Sequence, residues 1–322
     1  MGNGVCSREK KIFFGTTPTL HFGGEIQGWR SSMEDRTVVK SSLIFAPTKQ
    51  EVSLFAIFDG HGSSQVSEFL SAEFCNVLQK QLNNEEEGYT IEQATVDTFV
   101  ELDKMILEKC DMAHTSGSTA IILLVTLEGY YTVNLGDSRA MLIQNACYFD
   151  LTEDHKPFVE SEKARIEKAK FRVSKDNRVN GMLNVSRAFG DFEFKTVGLP
   201  VEECAVSVIP DIVFRAWDHN DRYIVLFSDG LLEKFDSDAL YRSLVSKMTS
   251  ITSFETIVTE LLDEATAVVL SENKGTDNSS ILIIQCPSYL EKIHPSPVFR
   301  AIEEKLHSDM SATPTPSNSI DE

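Results

Sequence analysis

Cysteine is scarce in this chain of 322 residues, and cations are outnumbered. The six cysteines (Cys6, Cys75, Cys110, Cys147, Cys204 and Cys286) are scattered and form no CxxC pair. With no apolar leader ahead of them, that spacing reads as a reduced intracellular protein rather than a disulfide scaffold. A cytoplasmic location is expected, with the nucleus left open. Long apolar runs are also missing. Stretches such as AIILLV at Ala120–Val125 fall far short of the roughly 20 residues that a bilayer demands. Thirty Lys and Arg stand against 49 Asp and Glu, a net charge of −19. No nucleic-acid partner is expected, because phosphate neutralisation needs a basic surface. The same excess leaves room for acids that hold cations. What is present, 42% hydrophobic and 25% charged residues, is the make-up of a soluble globular protein, long enough for one large domain or two ordinary ones.

The opening MGNGVCSREKK has its own signal. Gly2 follows Met1, small residues follow, and Ser7, Arg8, Lys10 and Lys11 come next. This is close to a myristoylation site, with Cys6 at the usual Ser/Thr position and itself a candidate for a second acyl chain. Two such signals would give peripheral membrane attachment, with the bases meeting anionic lipid. An ordinary flexible N-terminus explains the same residues.

Along the chain, strand-like and helix-like patterns alternate. VSLFAIF (Val52–Phe58) is β-rich and mostly apolar, which predicts a strand buried on both faces. Apolar spacing predicts helices over Ser64–Leu82 and Ile91–Lys109, with a solvated NNEEEG break between them. From Ser118 the period changes to two, giving three strand-like runs broken by LEG and GDS, a meander. A charged helix is expected around Glu160–Lys170, an amphipathic one over Phe254–Leu270, and strands at Tyr223–Ser228 and Ser280–Cys286. Consecutive strands interrupted by helix pairs indicate an α+β domain with antiparallel sheet. The tail HSDMSATPTPSNSIDE is Ser/Thr/Pro-rich and is expected to be disordered from about residue 307. The expected division is a flexible N-terminus over 1–20, one folded domain over 21–290 and an extension over 291–322.

Acids recur where apolar strands meet their loops. FAIFDGHG puts Asp59 at one strand end and YIVLFSDG puts Asp229 at another. GTDNSSILII puts Asp277 just before a strand, NLGDSRA puts Asp137 in a turn, and SSMEDRTVV puts Glu34 and Asp35 ahead of a further one. Taken singly, each is best explained as a turn or cap. Together they could converge at one sheet edge, where clustered carboxylates would raise one another's pKa unless a cation sat among them. All-oxygen ligands favour Mg²⁺ or Mn²⁺ over zinc, and Gly60 and Gly230 would let backbone approach the ion. Two hard metals suit displacement at phosphorus. Arg30 is placed to grip phosphate oxygens, and His61 to protonate a leaving oxygen unless it is a plain turn histidine.

The ordered set GWRSSMED, FAIFDGHG, SGSTA, NLGDSRA, DHKP, RVNGMLNVSRAFGD, VSVIPDI, YIVLFSDG and GTDNSSILI resembles the metal-dependent Ser/Thr protein phosphatases of type 2C, from about Gly24 to Cys286. The resemblance implies a four-layer αββα sandwich, two antiparallel sheets flanked by helices, with two Mg²⁺ or Mn²⁺ ions at one end. It implies that Asp59 bridges both ions, that Gly60 offers its carbonyl, that Glu34 serves one ion and that Asp35 acts through water. Asp229 and Asp277 would hold the other ion, Arg30 would bind the phosphoryl group, and His61 would be the general acid. The nucleophile would be a metal-bridging water, without a phosphoenzyme. Asp137 matches a position that helps to hold a weaker third metal. Phosphoprotein substrates and a monomer are the expected partners and state.

Three positions depart from the family pattern. After the last metal strand the chain reads DGLLEKF, so Glu233 stands where the third-metal Asp is expected and Leu232 replaces a Trp. KAKFRV (Lys168–Val173) lacks the Gly-Gly that precedes the flap, expected over about 171–200. Ser63 replaces a glycine, a change expected to be tolerated. A non-catalytic binding or regulatory protein of the same fold is the alternative, and a metal-dependent nuclease is disfavoured by the charge.

Overall fold

A mostly apolar run such as Leu54–Phe58 can only be satisfied if both of its faces are covered, and each face here has a different cover. The computed structural model describes residues 6–16, 19–145, 147–250, 253–272 and 274–287. In chain order the elements are β1 (Ser7–Gly15), β2 (His21–Gly28), β3 (Arg36–Phe45), β4 (Gln50–Phe58), β5 (Gly60–His61), α1 (Gln65–Leu82), α2 (Ile91–Lys109), β6 (Gly117–Ser118), β7 (Ala120–Val125), β8 (Gly129–Leu135), β9 (Arg139–Gln144) and β10 (Tyr148–Asp150). They continue as α3 (Glu160–Lys168), β11 (Phe189–Gly190), β12 (Asp211–Ala216), β13 (Asp221–Phe227), α4 (Asp229–Leu232), α5 (Ser237–Ser250), α6 (Phe254–Ala265) and β14 (Ser279–Gln285).

One antiparallel sheet runs β1-β2-β14-β13-β9-β10 and a second runs β12-β8-β7-β4-β3. Alternate residues divide the apolar strands between two interfaces. Phe55, Ile57, Ile121, Leu123, Ile224, Leu226, Leu282 and Ile284 pack between the sheets. Their neighbours Leu54, Ala56, Phe58, Ile122 and Leu124 face α1 and α2, while Tyr223, Val225, Phe227, Ile281 and Ile283 face α5 and α6. This is the expected αββα order of layers. Phe74 of α1, fully buried against Phe58 and Phe99, is typical of the layer contacts; truncation to Ala would cost about 3–5 kcal/mol. Helix α2 begins where its sequence predicts, because the Thr90 side chain accepts the N–H of Gln93 at 3.2 Å.

Three expectations are corrected. Residues 7–15 belong to a stretch read as flexible, yet they form edge strand β1 on β2. The reason lies in the FGGE of β2: a Cβ on Gly23 would sit 2.9 Å from the Phe13 ring, and one on Gly24 would sit 2.7 Å from Ile12 Cδ1. The bare backbone there lets β1's side chains lie down. Helix α6 ends at Ala265, not Leu270, with Val269 half exposed. The chain leaves the helix because Ala267 N bonds Gly275 O at 2.7 Å while Ala267 O accepts Arg8 and Trp29. The meander is also divided: β7 and β8 lie in one sheet and β9 in the other. The crossing is made at Gly136-Asp137, where Gly136 has φ +109°. The tail from 288 and residues 1–5, including Gly2, lie outside the described residues.

Candidate active site

The turns at one end of the two sheets are in backbone contact, and this determines which side chains meet. Asp59 follows β4, and its carbonyl accepts Thr119 N at 2.9 Å, tying it to the SGSTA segment. A Cβ on Gly60 would lie 2.6 Å from the Glu34 carbonyl oxygen, so Gly60 brings the Glu34–Asp35 loop against β5. A Cβ on Gly230 would lie only 1.8 Å from the Asn278 carbonyl oxygen, so Gly230 brings the Asp229 turn against the Asp277 turn. Asn278 completes the frame, accepting Glu34 N at 2.8 Å and donating to the carbonyls of Gln27 and Ser32 at 2.8 and 3.0 Å.

The carboxylates so gathered perturb one another. Burial raises the Asp59 pKa well above its ordinary value, and the charges of Asp35, Asp229, Asp137 and Asp277 raise it further. Burial likewise raises Asp229, with Asp137, Asp277 and Asp35 adding to the shift and Lys156 opposing it. Asp35 is wholly buried and pushed up to about 7, first by burial, against two serine donors. Ser280 Oγ and Ser228 Oγ donate to its Oδ2 at 2.7 and 2.9 Å, and its Oδ1 has no hydrogen-bond partner among the described residues. Burial also raises Asp277, against the opposing pull of Arg30, whose Nη2 lies 2.5 Å from Oδ2.

Among the described residues no three His, Cys, Asp or Glu side chains are drawn together tightly enough to hold an ion as they stand. Several are turned instead to protein donors. Asp137 is buried against Lys156 Nζ. Glu233 Oε2 accepts Thr276 N at 2.6 Å. Glu34 Oε1 accepts Ser32 Oγ at 2.9 Å. A hard divalent cation fits this donor set, because it is all oxygen, strongly anionic and includes an unpartnered buried carboxylate oxygen.

His61 Nε2 lies 2.7 Å from Asp191 Oδ2. Burial disfavours the imidazolium, but the charge and hydrogen bond of Asp191 outweigh it, and the His61 pKa is raised above 6.5. Ser63 Oγ lies 3.0 Å from Ser116 Oγ, so the serine in the glycine position joins this loop to the SGSTA segment.

The sequence profile described as PP2C, protein phosphatase 2C, matches residues 20–274. The chain belongs to the protein phosphatase 2C family. It is 34% identical over 291 residues to probable protein phosphatase 2C 6 of Paramecium tetraurelia, covering 86% of this chain and 96% of that one. Protein phosphatase 2C homolog 3 of Schizosaccharomyces pombe is also 34% identical, over 86% of this chain and 67% of its own length. A crystal structure of a phosphatase from Toxoplasma gondii superposes with a TM-score of 0.71 at 26% identity, covering 86% of this chain and 95% of that chain. The chain is thus a protein serine/threonine phosphatase of a metal-dependent family, acting on phosphoproteins.

Within this protein phosphatase 2C fold, Arg30, Glu34, Asp35, Asp59, Asp137, Glu233 and Asp277 lie on the turns between elements, Gly60 and His61 form β5, and Asp229 opens α4, with Arg30 the most open to solvent. Cys6 immediately precedes β1, whose Ser7 pairs with Gly28, two residues before Arg30. Sequence reasoning missed Asp191, Ser228, Ser280 and the bond of Lys156 to Asp137. Ser228 and Ser280 did carry a signal: hydroxyls at the ends of otherwise apolar strands need a polar partner.

Proposed function

We propose that this phosphatase cleaves phosphoserine and phosphothreonine with water as the nucleophile and no phosphoenzyme. Asp59, Asp229, Asp277, Glu34 and the Gly60 carbonyl would hold two Mg²⁺ or Mn²⁺ ions, and Asp35 would assist through a bound water. When bound, the ions supply positive charge to the phosphoryl oxygens and bring the pKa of water towards neutrality. Arg30 is the one exposed guanidinium of the set; it grips the phosphoryl oxygens with two parallel donors and aligns phosphorus for in-line attack. His61 gives its proton to the serine or threonine oxygen as the phosphorus–oxygen bond breaks. Asp137 and Glu233 would be the residues to hold a weaker third ion; both are engaged by protein donors, Lys156 Nζ and Thr276 N, which supports weak binding there.

The observation that carries this reading is the convergence of the Glu34–Asp35, Asp59–Gly60, Asp229 and Asp277 segments at one end of the sheets, held in contact by the bare Gly60 and Gly230 and by the Asn278 side chain. Every proposed ligand comes from one chain, so a monomer suffices. The test is hydrolysis of a phosphothreonine peptide with Mn²⁺ or Mg²⁺. Wild type should turn over with either ion, and Asp59→Asn should lose turnover while keeping its melting transition. Retention of near wild-type rate by Asp59→Asn would refute the assignment.

Acylation at Gly2, with Cys6 as a second site, would attach this cytoplasmic enzyme to a membrane. The bases that follow contribute little, since Arg8 and Lys10 pair with Asp263 at 3.3 and 2.9 Å and Lys11 with Glu25 at 3.3 Å. Mass spectrometry of the intact N-terminus tests this; an unmodified Gly2 in the native protein would refute it.

A further inference from the structure

Asp191 is a buried carboxylate 130 residues away from His61 in the chain, and its hydrogen-bonded side-chain partner among the described residues is that histidine. The two are brought together by a small sheet, β11-β6-β5, in which Gly117 pairs with both His61 and Gly190. Gly117 has to be bare: a Cβ there would lie 2.2 Å from Asp191 Oδ2 and 2.6 Å from His61 Nε2. Asp191 itself has φ +52°, a left-handed conformation that costs a non-glycine residue about 1 kcal/mol. The surroundings enforce it. Asp191 N donates to Ser116 O at 3.0 Å and Asp191 O accepts Phe194 N at 2.9 Å.

A buried ion pair clasps the chain on either side. Asp103 of α2 accepts Gly190 N at 2.9 Å and holds Lys195 Nζ at 2.8 Å, and that ammonium also donates to Ala188 O at 3.0 Å. Asp191 is thus held from both sides, by the backbone bonds of its own turn and by the Asp103–Lys195 pair.

We propose that Asp191 is the positioning residue of the proton donor: by accepting from Nε2 it fixes the His61 ring and leaves Nδ1 to meet the leaving oxygen. This rests on the reading of His61 as general acid. In the step, water adds to phosphorus and the bond to the serine or threonine oxygen breaks. Its electron pair stays on that oxygen, which takes the Nδ1 proton. The imidazole is left neutral with Nε2–H on Asp191, and the proton lost by the attacking water reprotonates it through solvent. Asp191 touches neither substrate nor reacting atoms; it acts through the ring.

The decisive comparison uses two substrates, a phosphothreonine peptide, whose alkoxide must be protonated to leave, and para-nitrophenyl phosphate, whose phenolate leaves unaided. Asp191→Asn keeps the side-chain size and a residue at ease with positive φ. It should lower kcat on the peptide by about 10–100-fold and on para-nitrophenyl phosphate by less than about threefold, with KM and the calorimetric Mn²⁺ affinity unchanged. Asp191→Glu, which restores a carboxylate, should recover part of the peptide rate. If Asp191→Asn does not fold, Asp191→Glu is read by the same ratio and should still lose more on the peptide than on the aryl ester. Equal losses on both substrates, or none on either, would overturn the inference. His61→Gln separates the two levels. If it discriminates between the substrates and the Asp191 variants do not, only the positioning role fails. If it does not discriminate, the general-acid reading fails and the positioning role falls with it.

Discussion

Arg30 Nη2 and Asp277 Oδ2 lie 2.5 Å apart, joining residues 247 positions distant in the chain. The pair sets two proposed functions against each other, since the same carboxylate is offered to a cation and the same guanidinium to a phosphoryl group. Arg30→Ala should therefore separate them. Phosphopeptide kcat/KM is expected to fall about a hundredfold, the cost of losing one charged donor to the developing charge. Mn²⁺ affinity by calorimetry should hold or tighten, because Asp277 loses its competing cation. A loss of Mn²⁺ affinity equal to the loss of rate would contradict the assignment.

The crowded acids should also be legible in the stability of the metal-free protein. Asp59, Asp229 and Asp35 all have folded pKa values raised above those of the unfolded chain, so the native state binds more protons and stability falls as pH rises. For Asp35, moving from 3.8 to about 7, the loss is on the order of 4 kcal/mol, complete above neutrality. His61, also raised, acts in the same direction. Glu162 works oppositely. Burial is outweighed by Arg165 and Arg187, which hold it down to about 2, so its contribution disappears as pH falls below about 4. Melts in EDTA should give a higher Tm at pH 5.5 than at pH 8 and a second decline below pH 4. Adding Mn²⁺ should raise Tm most at pH 8. A metal-free Tm that climbs from pH 5.5 to 8 would show that the acids do not repel.

Much of this site was readable before any coordinates, and the rest fails for definite reasons. Taken singly, Asp59, Asp229 and Asp277 read as turn or cap residues, and it is the repetition of such strand ends along one chain that marks them. The apolar stripe of Ile91–Lys109 is regular and marks the bounds of helix α2 to the residue. Strand β1 was not legible. Ile12 and Phe13 look like an untethered tail until Gly23 and Gly24 are known to lie beneath them. The end of α6 was overrun because Val268 and Val269 continue the apolar pattern, while the contact that stops the helix, Ala267 N to Gly275 O, is tertiary. Asp191 was hidden for the same reason: the final Asp of RAFGD reads as a turn residue, and only the β11-β6-β5 sheet shows that it faces His61.

Glycine at position 230 should be the most intolerant of substitution among those near the site. An alanine Cβ would meet the Asn278 carbonyl oxygen at 1.8 Å and Ser279 Oγ at 2.8 Å, and backbone cannot swing aside as a side chain can. Gly230→Ala is expected to cost about 3 kcal/mol or more and to push the Asp229 turn away from Asp277, so Mn²⁺ affinity and activity fall together. Gly181→Ala is the control. Its φ of +81° brings strain, but no atom lies within 4 Å of the added Cβ, so about 1 kcal/mol and near-normal Mn²⁺ binding are expected. Denaturant melts and calorimetry on the two variants distinguish contact from conformational strain.

The Glu233 position shows how a family departure can change a residue's task. One methylene longer than the expected aspartate, its carboxylate reaches over to the loop of Asp277, taking Thr276 N at 2.6 Å and the more distant Asp277 N at 3.4 Å. It thereby satisfies backbone donors at the turn that presents a proposed ligand, while Lys156 occupies Asp137 on the other side. If the brace is its main work, an acceptor matters more than a charge. Glu233→Gln should keep stability within about 0.5 kcal/mol and leave two-ion Mn²⁺ binding intact. Glu233→Ala, leaving a donor unpaired, should cost about 1–3 kcal/mol and weaken Mn²⁺ binding through Asp277. Glu233→Asp shortens the reach: it should loosen the brace and strengthen any additional, weaker Mn²⁺ step in the calorimetric titration. If Gln were as damaging as Ala, the negative charge rather than the hydrogen bond would be the essential feature, and Glu233 would return to the ion-binding set.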